Sequence, residues 1–284
     1  MEEFEEPVRI LSDLHLAHPG SRVVDAMQLA PLLEGVKTVI FNGDTSEERM
    51  KKFRDKAAAQ LEMLIAMCDE AGVTMVMLRG NHDPYTPSLG AVDLCGGQVF
   101  VTHGDVLYPD VSPWARHVEC AHAARLQIEK EYPEDYRGDL ETALEVSRRV
   151  TQEMEVHQPK AKPGLLGKIQ TLLGQAWPPS RPLMILKVWW EAARVAEDVL
   201  SRYRPEAKVF VIGHTHRAFV VRRGTRLLVN TGAFLPMSKA LAVDIDGGEL
   251  TVRRVEARAG KFVIGRVVGS EKLLSPVLGP RPDT

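Results

Sequence analysis

Six short apolar runs constrain the fold of this chain more than any other feature of its sequence. Each has the length of a β-strand, is rich in β-branched residues and is nearly continuous in its apolar character, which is typical of strands buried on both faces. The runs are 8–11, 38–41, 73–78, 99–102, 209–212 and 227–229. Residues 25–34 and 46–71 lie between the first three runs and are interpreted as helices, the second with an apolar face of Leu61, Leu64, Ile65 and Cys68. Strands that alternate with helices predict an α/β protein.

The second half of the chain has a different pattern. Turn sequences at 222–225 and 246–248 separate strand-like runs, so a layered α/β sandwich is predicted. Between the two halves lie three helical stretches and an amphipathic piece, at 113–132, 136–157, 183–203 and 165–177. The sequence therefore predicts a core of residues 1–106 and 206–260, a helical insertion or cap at 107–205, and a C-terminal tail at 261–284.

The composition is that of a globular protein and excludes several classes of protein. Of the 284 residues, 44% are hydrophobic and 26% are charged, unlike a disordered or collagen-like chain. The 36 basic and 38 acidic side chains give a formal net charge of −2, so no nucleic-acid partner is expected. Cys68, Cys95 and Cys120 form no CxxC pair and are interpreted as free thiols in a reducing compartment. With an acidic N-terminus and no apolar run of about 18 residues, the sequence predicts a cytoplasmic protein.

Carboxylate, amide and imidazole side chains follow five of the runs at the point where each run ends. They are Asp13, His15, Asp44, Asn81, His82, Asp83, His103, His214 and His216. Because ligands of open α/β sheets bind outside the carboxyl ends of the strands, we expect these side chains to converge there. Asp13-x-His15 and His214-x-His216 each put two side chains on one face of an extended stretch.

The residue types and their number indicate two metal ions. Imidazole suits zinc and iron, and carboxylate also suits manganese and magnesium. Seven of the side chains are candidate ligands, more than one tetrahedral ion needs: Asp13, His15, Asp44, Asn81, His103, His214 and His216. Two ions about 3.5–4 Å apart can clamp a phosphate and activate a water. The predicted cofactor is therefore a pair of divalent ions, with Mn²⁺ expected before iron or zinc.

Together and in this order, the motifs resemble those of the calcineurin-like metallophosphoesterases. The matching stretches are Asp13-x-His15, Gly43-Asp44, Gly80-Asn81-His82-Asp83, His103 and Gly213-His214-x-His216. The resemblance implies a four-layer α/β/β/α sandwich with a dinuclear site. It implies that Asp44 bridges two ions, one held by Asp13, His15 and His216 and the other by Asn81, His103 and His214. It also implies that His82 is a proton donor or phosphate-binding group outside the metal ligands, oriented by Asp83.

One branch of that family, the UDP-diacylglucosamine diphosphatases, has a helical lid inserted after a His-Gly-Asp step. His103-Gly104-Asp105 is similar to that step and also precedes a helical segment. Residues 43–47, 213–217 and 231–234 are similar to the branch as well. The chain departs from it at His82, where the branch carries Arg, and it lacks the branch's aromatic residues near Glu47.

The predicted activity is the metal-dependent hydrolysis of a phosphate mono- or diester, on a phosphorylated small molecule or a lipid-linked substrate. The alternative is a pyrophosphohydrolase like the UDP-diacylglucosamine diphosphatases, acting on an acylated nucleotide sugar. A nuclease and a non-catalytic scaffold are further alternatives. An apolar stripe leaves open whether the insertion packs a cap core, binds an acyl chain or makes a peripheral membrane contact. The stripe consists of Leu165, Leu166, Ile169, Leu172, Leu173 and Trp177, followed by Trp189 and Trp190.

Two more residues near the predicted site have open roles. Glu47 is interpreted as a carboxylate at a helix N-terminus, favoured by the helix dipole, in preference to a hydrogen-bond partner of a ligand. His18 is interpreted as an exposed or packed residue, and contact with the substrate is left open because it is the nearest of the remaining histidines to the site in sequence.

Overall fold

Two β-sheets packed face to face lie at the centre of the molecule. The computed structural model describes residues 4–115, 118–156 and 180–274. In chain order the strands of this part are β1 (Val8–Leu11), β2 (Thr38–Asn42), β3 (Thr74–Leu78), β4 (Ala91–Leu94), β5 (Val99–Thr102), β6 (Val209–Ile212), β7 (Phe219–Arg223), β8 (Arg226–Asn230), β9 (Ala240–Asp246), β10 (Glu249–Arg258) and β11 (Lys261–Lys272). The first sheet has the order β11-β10-β9-β1-β2-β3, and the second has the order β4-β5-β6-β8-β7.

The parallel pairs of the two sheets place the predicted site residues at common edges. In the first sheet β2 pairs in parallel with both β1 and β3, with Thr38 opposite Val8 and Thr74. In the second sheet β6 pairs in parallel with both β5 and β8. Parallel neighbours end on the same side, so the loops after β1, β2 and β3 meet, as do those after β5 and β6.

The inner faces of both sheets form one apolar core. It includes Ile10 and Ile40 from the first sheet and Val101, Val211 and Val229 from the second, all of them fully buried. The outer faces are covered as well, which explains why the central strands are apolar at nearly every position.

Helices cover the outer faces of the two sheets. In the described residues the α-helices are α1 (Arg54–Ala71), α2 (Val118–Ile128), α3 (Leu140–Val156) and α4 (Ser180–Tyr203). Helix α1 packs on the first sheet through Leu64 and Cys68 and ends at Gly72, whose left-handed φ of 64° suits glycine. Ile65, predicted on the buried face, lies beside it and is 42% exposed. The layers follow the predicted four-layer α/β/β/α order, which confirms the fold class.

Two helices predicted near the N-terminus are shorter than expected. Residues 25–34 contain a 3-10 helix, Ala26–Leu32, whose N-terminus is capped by Asp25. Pro31 lies inside it and lacks the N–H that a longer α-helix would need. In the predicted helix 46–71, the first α-helical residue is Arg54, after a 3-10 turn at Lys51–Phe53. Residues 46–50 are therefore loop next to the site.

The segment predicted as an insertion supplies the fourth layer of the sandwich. Leu144 of α3 and Leu200 of α4 pack with Phe100, Phe210 and Leu228 on the outer face of the second sheet. A smaller cluster joins α2 to the second half of α3, through residues that include Ala121, Ile128, Val150 and Met154. The described parts of the segment contain three α-helices, and two of these contribute residues to the core on the outer face of the second sheet.

The amphipathic piece 165–177, with the apolar stripe from Leu165 to Trp177, lies outside the described residues. Within residues 4–115, 118–156 and 180–274, no helix is both long and apolar enough to cross a bilayer.

The C-terminal tail predicted from residue 261 is wrong for residues 261–272. These residues form β11, which pairs with β10 along most of its length. A two-residue turn, Ala259 and Gly260, joins the strands, and both residues have positive φ as this type of hairpin requires. Phe262 and Ile264 fall on one face and pack in the outer core of the first sheet, where Phe262 meets Phe234 edge-on at 5.0 Å between ring centroids.

We expect Phe262→Ala to destabilise the fold by about 3–5 kcal/mol, since a buried aromatic ring would leave a cavity. Phe262 is 4% exposed, whereas Val267 on the same strand is 50% exposed. The matched control Val267→Ala should cost less than about 1 kcal/mol. Urea denaturation of the two variants measures both values, and equal losses would show that β11 is not part of the core.

Candidate metal centre

Five candidate ligands have left-handed backbone conformations. Asp13, His15, Asp44, His214 and His216 all have φ between 49° and 66°. Such conformations cost roughly 1–3 kcal/mol each in a non-glycine residue and persist only where the surrounding structure imposes them. Their concentration in the loops after β1, β2 and β6 marks this edge of the sandwich as a functional site.

Backbone hydrogen bonds hold these loops to one another. The N–H groups of Asp13 and His15 donate to the carbonyls of Gly43 and Asp44, at 3.0 and 2.9 Å. A Cβ on Gly43 would lie 2.5 Å from the His103 ring, and one on Gly213 would collide with the Asp13 carboxylate. Glycine is therefore needed at both positions because a ligand side chain of another loop passes directly over the backbone.

The first group of candidate ligands is Asp13, His15, Asp44 and His216. One ligand atom from each lies within 4.8 Å of the others. His216 Nε2 is 3.3 Å from Asp13 Oδ1, and His15 Nε2 is 3.7 Å from Asp44 Oδ2. The two imidazole nitrogens, His15 Nε2 and His216 Nε2, are 3.2 Å apart. Two carboxylates and two imidazoles facing one point fit a divalent ion.

The second group is identified by buried polar atoms that make no hydrogen bond with described residues. These atoms are Asn81 Oδ1, His103 Nε2 and His214 Nδ1. Buried acceptors without a partner are costly, and a metal ion would satisfy them. His103 Nε2 lies 3.4 Å from Asp44 Oδ1, which puts Asp44 at both groups. The residue types of both predicted ligand sets fit a metal, and the Asp44 carboxylate lies close to His15 of the first set and His103 of the second.

The second ring nitrogen of each histidine in this group is held by a backbone carbonyl. His103 Nδ1 lies 3.0 Å from the carbonyl of Asn42, and His214 Nε2 lies 2.8 Å from that of Val111. A carbonyl only accepts, so these nitrogens carry the protons. His103 Nε2 and His214 Nδ1 are thereby left as the free donors of electron pairs that a metal requires.

The electrostatics of the site favour the metal-binding form of three candidate ligands, His15, His214 and Asp44. Burial lowers the pKa of His15 well below its ordinary value, and burial together with His103 lowers that of His214 to about 4. Burial opposes ionisation of Asp44, but His103 and His82 outweigh it and hold its pKa well below the usual range. Neutral imidazoles and an ionised carboxylate are the forms that bind metal. His103 differs, because Asp44 outweighs burial and raises its pKa well above normal, so its ligation would release a proton.

Asp83 does not orient His82, contrary to the sequence-based prediction. Its carboxylate accepts backbone N–H groups from Gly80, Asp44 and Thr45, at 2.8, 3.0 and 2.6 Å. It therefore fixes the loop that carries Asp44. Burial and the Asp44 carboxylate raise the pKa of Asp83 to about 7.

The partner of His82 is Glu47, a role that sequence reasoning missed. His82 Nδ1 lies 2.7 Å from Glu47 Oε2, and the His82 N–H donates to Asp44 Oδ1 at 2.7 Å. Glu47 is fully buried and lies seven residues before the first residue of α1, so it is not a helix N-terminal carboxylate. The His82 side chain is 23% exposed. Burial disfavours its charged form, but Glu47 and Asp44 outweigh burial and raise its pKa.

Three parts of the predicted insertion border the ligand loops. Besides the carbonyl of Val111, the ring of Trp114 lies 5.0 Å from that of His214. On α4, Trp189 Nε1 donates to the carbonyl of Thr215 at 3.1 Å. The Arg217 guanidinium lies over the Trp189 ring, 5.3 Å from its centroid. The insertion thus helps to position the His214–His216 loop.

A family model described as calcineurin-like phosphoesterase matches residues 6–218, which include all of these groups. The chain belongs to the calcineurin-like phosphoesterase family. As a member of that family it is a metal-dependent phosphoesterase, and the family implies a dinuclear site for divalent ions. No match was found among curated protein sequences.

Three of the solved structures that match this chain have the following identity, coverage and TM-score. A dimetal phosphatase from Danio rerio is 12% identical, covers 95% of this chain and 100% of its own, and gives a TM-score of 0.46. Vps29 from Entamoeba histolytica complexed with Zn²⁺ is 12% identical, with coverage of 92% and 97% and a TM-score of 0.39. A predicted phosphoesterase from Streptococcus pneumoniae is 14% identical, with coverage of 90% and 95% and a TM-score of 0.35. Scores this low add nothing to the family assignment.

Asp44→Asn should lose more metal than any other single ligand change, because Asp44 faces both ligand groups. We expect the wild type to retain about two ions per chain after Mn²⁺ loading and gel filtration, Asp13→Asn about one, and Asp44→Asn less than one. Asp93→Asn is the control, since Asp93 pairs with Arg204 away from the site. Elemental analysis gives the stoichiometries. Equal metal content in the Asp13 and Asp44 variants would contradict a bridging position.

Proposed function

We propose that this chain hydrolyses a phosphate mono- or diester of a small molecule, with Mn²⁺ as the metal. The observation that carries the proposal is the pair of ligand groups on either side of Asp44, next to the partly exposed His82. When bound, two divalent ions supply charge neutralisation of the phosphate and activation of a water. The mixture of carboxylate, amide and imidazole ligands supports Mn²⁺, with iron and zinc as alternatives.

In this proposal the seven candidate ligands hold the metals and His82 acts on the substrate. They are Asp13, His15, Asp44, Asn81, His103, His214 and His216. The backbone of His82 is fixed by the Asp44 carboxylate, and its ring is fixed by Glu47 through Nδ1. The opposite nitrogen, Nε2, is therefore the atom that can give a proton to the leaving group or bind a phosphate oxygen. Glu47 acts as a positioning residue, as does Asp83 through the Asp44 loop.

A cytoplasmic location is part of the same proposal. Cys68, Cys95 and Cys120 are free in the structure, and free thiols are typical of reducing compartments.

His82→Ala should retain its metal and lose about 10²–10⁴-fold in kcat on alkyl phosphates, since these need protonation of the leaving group. The loss should be much smaller with p-nitrophenyl phosphate, whose leaving group needs little protonation. Glu47→Gln should lower kcat by a smaller factor, because the backbone N–H of His82 still donates to Asp44 and keeps the residue in place.

Steady-state assays with Mn²⁺, together with elemental analysis of each variant, test this prediction. Glu134→Gln, a change at an exposed residue of the helical segment, is the control. Equal losses of His82→Ala on both substrates would assign His82 to phosphate binding or structure. A wild type that hydrolyses no phosphate mono- or diester in a Mn²⁺ screen would refute the proposed function.

The second candidate is a pyrophosphohydrolase that acts on an acylated nucleotide sugar, like the UDP-diacylglucosamine diphosphatases. Its support is an exposed apolar face on the first half of α4, formed by Leu183, Leu186 and Trp190 at helical spacing. Trp190 is 89% exposed, and its neighbour Trp189 contacts the His214–His216 loop. An acyl chain or the surface of a membrane would bury this face, at about 0.8 kcal/mol for each methylene.

The triple variant Leu183→Ser, Leu186→Ser, Trp190→Ser separates the two candidates. If the face binds acyl chains, KM for an acylated UDP-sugar should rise at least about tenfold, while KM for p-nitrophenyl phosphate stays unchanged. Leu126→Ser on α2, which is also exposed, is the control. Equal effects on both substrates, or no hydrolysis of the acylated UDP-sugar by the wild type, would exclude the second candidate.

A further inference from the structure

A third imidazole lies beside His15 and His82 at the opening of the site. The His18 ring centroid is 5.6 Å from that of His15 and 6.1 Å from that of His82, and the latter two are 4.7 Å apart. His18 is half-buried, whereas His15 is buried. Neither the metal ligand groups nor the His82–Glu47 pair makes use of His18.

A tight turn fixes the proton of the neutral His18 ring to one nitrogen. The backbone N–H of Gly20 donates to His18 Nδ1 at 3.0 Å. Because a backbone N–H only donates, Nδ1 is the acceptor, and the proton of the neutral imidazole sits on Nε2. Within residues 4–115, 118–156 and 180–274, Nε2 of His18 makes no hydrogen bond, so this donor is available.

The turn also holds the ring in place. The His18 N–H donates to the carbonyl of His15 at 3.0 Å, and the Ser21 N–H donates to the carbonyl of His18 at 2.9 Å. A Cβ on Gly20 would lie 3.2 Å from both Nδ1 and Cε1 of the ring. The absence of a side chain at Gly20 therefore lets the backbone approach the imidazole, and the loop that supplies His15 also positions His18.

We propose that His18 donates a hydrogen bond from Nε2 to the phosphate group of the substrate and is a substrate-binding residue of this site. This inference rests on the proposed function, because it places the phosphate between the metal ligands and the rings of His18 and His82. A neutral N–H donor binds an anionic phosphate oxygen without adding charge to the opening. The alternative is that His18 only stabilises its own turn.

The variant His18→Asn distinguishes these roles. Its amide oxygen can still accept the Gly20 N–H, so the turn survives, but the donor at the position of Nε2 is lost. Gly20→Ala keeps the donor and displaces the ring. His122→Asn is the matched control, since the His122 side chain is 51% exposed and pairs with Asp110.

The measurement is the binding of inorganic phosphate to the Mn²⁺-loaded full chain by calorimetry, with elemental analysis of each variant. Loss of one hydrogen bond to a charged oxygen should weaken binding by about tenfold or more in His18→Asn. Gly20→Ala should weaken it by a smaller factor and His122→Asn should leave it unchanged, with the metal content the same in all.

Three results would overturn the inference. They are phosphate affinity in His18→Asn equal to that of the wild type, loss of metal from that variant, and absence of phosphate binding by the wild type. The proposed function fails separately: if His18→Asn weakens phosphate binding but the wild type hydrolyses no phosphate ester, the binding role of His18 stands and the hydrolytic proposal does not.

Discussion

The Asp44 carboxylate is the group around which the site is organised. Its loop is fixed by the carboxylate of Asp83, which accepts hydrogen bonds from the N–H groups of Asp44, Thr45 and Gly80. The carboxylate itself accepts the N–H of His82 through Oδ1 and faces His15 through Oδ2. The ends of β2 and β3 are thereby tied into one unit before any metal binds. A buried carboxylate of this kind is costly, and its neighbours must satisfy it.

The stability of the sandwich offsets the conformational strain in the backbone of the ligand loops. Five ligands in left-handed conformations would each favour another backbone state in an isolated loop. They are held because the strands that precede them are buried on both faces and cannot shift by a residue without exposing their apolar side chains. Rigid strands and strained loops together place the imidazoles within a few ångströms of one another. His15 Nε2 and His216 Nε2, for example, are 3.2 Å apart.

The helical segment after His103 has two roles. Its α3 and α4 helices complete the outer layer of the second sheet, so they cannot be removed without exposing Phe100 and Phe210. The same segment reaches the metal centre through the carbonyl of Val111, which fixes the tautomer of His214, and through Trp189 on α4. A change in the packing of α4 is therefore expected to shift the position of the His214–His216 loop.

The sequence alone predicted six buried strands, a layered α/β sandwich and the set of candidate ligands, because these depend on local pattern. The four-layer order was implied by the family resemblance. Apolar runs predict buried strands, and polar residues at their ends predict where ligands converge. The tertiary structure decided the pairings. Glu47 is the partner of His82 and Asp83 supports the Asp44 loop, which no local pattern distinguishes because the contacts join residues about 35 to 40 positions apart. Strand β11 was missed because its burial depends on Phe234, a residue of another loop. The proton positions on His103, His214 and His18 likewise follow from backbone groups that only the folded chain brings to them.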